Sequence, residues 1–76
     1  MSEKFPRLTA KDIIKVVERH GFVLGRQSGS HRIYKDKQGK RVTIPFHRGK
    51  VLHPKVVKSI LKDANLTLKE LRKLST

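Results

Sequence analysis

Cysteine is absent from the 76-residue chain, which excludes disulfides and thiolate metal sites and fits a cytoplasmic setting. No apolar run approaches the roughly 18 residues that a membrane-spanning helix needs. Residues 1–6 lack the apolar stretch of a signal peptide, so a soluble chain is expected. Aromatics are scarce, three Phe and one Tyr. A domain this small buries only about 60% of the surface its unfolded chain exposes. The core is therefore thin, and every periodic apolar residue is expected in it. Acidic residues are the last scarcity: six Asp and Glu stand against nineteen Lys and Arg.

What is present in excess is positive charge, a formal net +13 on 8.8 kDa. Such a field attracts polyanions and speeds their encounter. Nucleic acid is the foremost candidate, because Lys and Arg gain affinity by releasing its condensed counterions. An acidic protein or an anionic membrane surface is drawn by the same field.

One domain over residues 1–76 is expected, with residues 1–8 as a flexible lead-in. Thr9-Ala10-Lys11-Asp12 reads as an N-cap followed by a capping-box acid, with Leu8 and Ile13 spaced as a hydrophobic staple. Ile13, Ile14, Val16, Val17 and His20 follow helical spacing, and Gly21 is a natural stop. Three strand-like runs come next, over residues 22–27, 31–35 and 41–45. Ser28-Gly29-Ser30 forms the first turn between them and Asp36-Lys37-Gln38-Gly39 the second. Val42 and Ile44 share one face by the period of two. Residues 46–52 read as a loop. Pro54 suits the first position of a second helix, whose apolar stripe is Val56, Val57, Ile60, Leu61 and Ala64. Asn65 ends that helix, and Thr67 to Glu70 is a second capping box that opens a short tail helix with Leu68, Leu71 and Leu74. The expected class is α+β: a three-stranded antiparallel sheet with helices packed on one face, in the order α-β-β-β-α plus a short C-terminal helix. That order resembles the double-stranded-RNA-binding-domain-like fold.

Chemistry concentrates at Gly29-Ser30-His31. Glycine allows close backbone approach and turn amides can point at an anion. Ser30 adds a hydroxyl, and an imidazole can take and return a proton near neutral pH. Cleavage of an RNA phosphodiester needs a base for the 2′-hydroxyl, an acid for the departing 5′-oxygen, and cations for the charge that builds on phosphorus. Arg26, Arg32 and Arg48 are candidate cations. The other reading of His31 is structural: alternation places it with Ile33 on the expected core face, as a rim residue. His47 is a complementary acid, a phosphate ligand or a solvated loop residue. His20 and His53 read as structural or exposed. The four histidines show no His-x-x-x-His spacing, so no metal or other cofactor is expected. Tyr34, on the parity opposite Ile33, and Phe46 are candidate base-stacking residues, whereas Phe22 reads as packing. Lys55, Lys58 and Lys62 form a stripe on the second helix, either a solvated face or a contact to the RNA backbone or to an acidic partner. Readout of DNA is disfavoured, since that helix opens without Asn, Gln or Arg.

His20-Gly21-Phe22, the run from Arg26 through Gly29-Ser30-His31 to Tyr34, Val42-Thr43-Ile44-Pro45-Phe46-His47, and Ser59 to Ala64 occur in an order and spacing that resemble the HicA toxin family. The likeness covers about residues 8–71. It implies the double-stranded-RNA-binding-like fold and metal-independent cleavage of mRNA. It also implies that His31 is the catalytic residue and that a HicB-type antitoxin covers the site. One departure stands out: the family often opens the second helix with Gly-Thr, where this chain has His53-Pro54-Lys55-Val56. The competing functional reading is a non-catalytic RNA-binding module on the same fold.

Overall fold

The computed structural model describes residues 7–74; of the lead-in expected over residues 1–8, residues 1–6 lie outside the described residues. Helix α1 (Ala10–Arg19) begins where Thr9 and Asp12 close a reciprocal capping box. The Thr9 hydroxyl accepts from the Asp12 N–H at 3.3 Å and the Asp12 carboxylate accepts from the Thr9 N–H at 3.0 Å. Leu8 and Ile13 are both buried in the core beside this cap, as a hydrophobic staple requires. Leu8 was expected at the end of the loose lead-in; instead its carbonyl accepts from the Leu52 N–H at 2.7 Å, which ties the chain before α1 to the chain before the second helix. The helix stops at Gly21, whose φ is +104°. There the Gly21 N–H returns to the Glu18 carbonyl and the Phe22 N–H to the Val17 carbonyl, the Schellman closure. Phe22 is consumed by that closure and by burial, so the first strand begins one residue later than its apolar character suggests.

Strands β1 (Val23–Ser28), β2 (His31–Lys35) and β3 (Arg41–Pro45) form an antiparallel sheet in the order β1-β2-β3. A two-residue turn joins the first pair, with Gly29 at φ +58° in its first central position, the requirement of a type II′ hairpin turn. The second turn is held by the Asp36 carboxylate, which accepts from the N–H groups of Gln38 and Lys40 at 3.0 and 2.8 Å. Helix α2 (Pro54–Ala64) follows, with Pro54 at its start and His53 as N-cap. It ends at Asn65 in the left-handed conformation, φ +57°. Helix α3 (Leu68–Leu74) opens on the Thr67–Glu70 box.

The helices lie on one face of the sheet. Both α1 and α2 pack against β3, and α3 packs on α1. Ile13, Val16, Val17, Val57, Ile60 and Leu71 meet Val42 and Ile44 in a single buried cluster. Strand β1, at the edge, is exposed along its whole length. This is the α+β, double-stranded-RNA-binding-like architecture. Among the described residues no helix is long and apolar enough to cross a membrane.

One expectation about the sheet is reversed. Alternation within β2 suggests Ile33, and with it His31, as the inward face. In the structure Tyr34 is 1% exposed, Ile33 is only half-buried, and His31 is exposed. The cause is register. Tyr34 pairs with Val42 and Arg32 with Ile44, and directly paired residues project to the same face. Val42 and Ile44 are drawn under the helices, so Tyr34 and Arg32 go with them.

Candidate functional site

The same register builds the opposite, uncovered face. His31 stands between Ser28 on β1 and Pro45 on β3; Ile33 stands between Arg26 and Thr43; Lys35 stands between Val23 and Arg41. Among the described residues this open face carries one imidazole and three cations, Arg26, Lys35 and Arg41, and no carboxylate. Arg26 reaches it only because of an irregularity. The ladder shifts register between Leu24 and Arg26, leaving Gly25 as an extra residue. In a regular strand Arg26 would share the face of Leu24. The bulge turns Arg26 over to the side of His31.

His31 leaves the sheet at its turn end. Gly29 and Ser30 precede it in the two-residue turn, and the Ser30 carbonyl accepts from the Phe46 N–H at 2.6 Å. That bond clamps the turn to the chain beyond β3, so the exposed imidazole is carried on a fixed backbone. His47 lies two residues past Pro45, exposed in the loop between β3 and α2. The structure thus gathers Gly29, Ser30, His31 and Arg26 at one end and face of the sheet, with His47 just beyond.

Other candidates are placed elsewhere. Arg32 projects to the helix side, where its guanidinium lies 4.0 Å from the centroid of the Phe46 ring. Arg48 is exposed and lines an open cavity with Arg32 and Phe46. Tyr34, expected at the surface as a stacking residue, is a core residue instead, for the register reason given above. Phe46 is half-buried under Arg32. Lys58 is exposed on α2, in the helix layer rather than on the face of His31. Phe22 is buried, as expected, and His20 stacks against it with ring centroids 6.1 Å apart.

Sequence reasoning missed Lys35 and Arg41. The signal was present: Lys35 has the parity of His31, and Arg41 that of Thr43, outside the Val42–Ile44 face. It also missed the bulge, although a glycine inside a strand pattern is the usual mark of one.

The N-terminus of α2 is not an anion cradle. Pro54 has no N–H. The Lys55 N–H is taken by His53 Nδ1 at 3.1 Å, and the Val56 and Val57 N–H groups by the His53 carbonyl at 2.9 and 3.1 Å. The departure at His53-Pro54 therefore closes that helix end against phosphate. Among the described residues no three His, Asp or Glu side chains come together as a metal site.

No curated protein matches the chain. A family model described as HicA toxin of bacterial toxin-antitoxin matches residues 10–66. That span runs from the first residue of α1 to just past α2 and includes the whole sheet. Matched over well more than half its length, the chain belongs to the HicA toxin family, the toxins of toxin–antitoxin systems in which the toxin has an antitoxin partner.

Proposed function

We propose that this toxin is an endoribonuclease that cuts single-stranded mRNA in the cytoplasm, with His31 as its catalytic residue and without a metal or other cofactor. The observation that carries the reading is the exposure of His31 on a face that, among the described residues, holds three cations and no carboxylate. An RNA backbone laid on that face brings a 2′-hydroxyl to the imidazole. His31 takes the 2′-hydroxyl proton, and the 2′-oxygen attacks the adjacent phosphorus. The bond from phosphorus to the 5′-oxygen breaks, and that oxygen leaves with a proton as a 5′-hydroxyl. His47 is the candidate acid. Arg26, Lys35 and Arg41 offset the charge that develops on the phosphoryl oxygens, which in a fixed array of donors is a large share of such catalysis. A HicB-type antitoxin that covers this basic face would silence the enzyme by occlusion, and its own surface there would be acidic.

The test uses single-stranded RNA in excess EDTA. The parent chain should cut it, and His31→Ala should cut about 10²- to 10⁴-fold more slowly, the usual worth of a positioned acid or base. A variant that cuts as fast as the parent removes His31 from the chemistry. Activity that vanishes for the parent in EDTA removes the metal-independent route.

A further inference from the structure

A second basic feature lies on the helix side of the same sheet end. Helix α1 and the loop after β3 border an open cavity of about 540 Å³, lined by Lys11, Ile14, Arg32, Phe46 and Arg48. Three of these side chains are cations and none is acidic. Phe46 covers one face of the Arg32 guanidinium at 4.0 Å, a cation–π contact that fixes the direction of the fork. Arg32 Nε is buried and donates to no acceptor among the described residues. Nε itself is closed to a ligand, so an anion in the cavity acts on the guanidinium charge as a whole, and a full negative charge is the complement that three cations around one cavity suit best.

We propose that this cavity is a phosphate subsite for single-stranded RNA. It holds a backbone phosphate beyond the bond presented to His31, and so fixes the register of the strand across that residue. The placement follows from covalent neighbours. Arg32 follows His31 and projects to the other side of the sheet. Pro45 pairs with His31, and the next residue, Phe46, forms the cavity wall while its N–H is bonded to Ser30. A strand that rounds the sheet end at Pro45–Phe46 meets both sites. The subsite rests on the ribonuclease reading for its ligand, since an acidic protein segment would present carboxylates to the same three cations. Continuity with the cationic face of His31 favours the RNA backbone.

The experiment measures binding of a single-stranded 2′-O-methyl RNA, which has no free 2′-hydroxyl and stays intact, to the full chain over a range of salt. Lys11→Ala with Arg48→Ala removes two exposed cations and keeps the Arg32–Phe46 stack. Lys37→Ala with Lys69→Ala removes the same charge elsewhere. The first pair should weaken binding at least about tenfold, the loss expected of a charge-assisted hydrogen bond. It should also reduce the slope of log K against log salt by about 0.7 for the phosphate released. The second pair should change neither by a comparable amount. Equal effects of the two pairs overturn the subsite in favour of diffuse charge. Loss of poly-glutamate binding with RNA binding unchanged overturns it in favour of a carboxylate site. The two proposals fail separately. RNA cut by the parent with equal effects of both pairs sinks the subsite alone. Pocket-specific binding by a parent that cuts nothing supports the subsite and sinks the nuclease reading alone.

Discussion

His31 faces outward on the parity opposite Tyr34, three places further on. Tyr34 is the largest fully buried side chain of the described residues, on a strand only five residues long. Read alone, β2 offers one apolar residue to each face, Ile33 to one and Tyr34 to the other, so a period of two cannot choose between them. The choice is made in β3, where Val42 and Ile44 lie on a single face, and is carried back to β2 through the register of the second turn. Gly29-Ser30-His31 was therefore legible in the sequence as a candidate site, while the exposure of His31 was not. Truncating Tyr34→Ala should lower the unfolding free energy by about 3–5 kcal/mol, as for other buried aromatic residues, measured by urea denaturation. Ile33→Ala, at a half-buried position, should cost clearly less. A larger loss at Ile33 than at Tyr34 would mean that the assigned faces are inverted and that His31 points inward.

Helix ends and turns were the most legible elements, because each rests on local chemistry. The Thr9–Asp12 and Thr67–Glu70 boxes, Gly21, Gly29, Pro54 and Asn65 all act where their residue types suggest. The bulge at Gly25 depends on a partner strand and was not legible in the same way. Removing the first cap with Thr9→Ala should cost about 1 kcal/mol of stability. The Thr9 N–H, donating to the Asp12 carboxylate, holds that carboxyl below its ordinary value; burial opposes this, and the Thr9 hydroxyl and the charges of Lys15 and Lys11 assist. A carboxyl lowered in the folded state stabilises the fold above its unfolded pKa, about 3.9 for Asp, and that contribution is lost as pH falls through the lower folded value. Thermal melts should therefore show the parent losing stability more steeply on acidification below about pH 4 than Asp12→Asn does. Parallel curves for the two chains would mean that the cap carries no ionic component.

At the scale of the whole molecule, layering and charge divide the work. Among the described residues all helices lie on one side of the sheet, the other side is exposed, and the scarcity of acid leaves it cationic. The net charge of +13 points to a polyanion from the sequence, but which cations share a face depends on strand register, and this is why Lys35 and Arg41 were overlooked. Binding of uncleavable RNA should weaken with salt. Lys35→Ala with Arg41→Ala should flatten that dependence by about 1.4 in log–log slope if each cation meets one phosphate of a single strand. An unchanged slope would place the RNA elsewhere on the protein. The chemistry assigned to His31 requires a 2′-oxygen as the nucleophile, and the most direct measurement is the fate of two matched oligonucleotides, one all-ribo and one all-deoxy, with end groups determined on the products. We expect cleavage of the ribo strand alone, leaving a 5′-hydroxyl on the downstream fragment. Cleavage of the deoxy strand, or a 5′-phosphate on the ribo product, would contradict it.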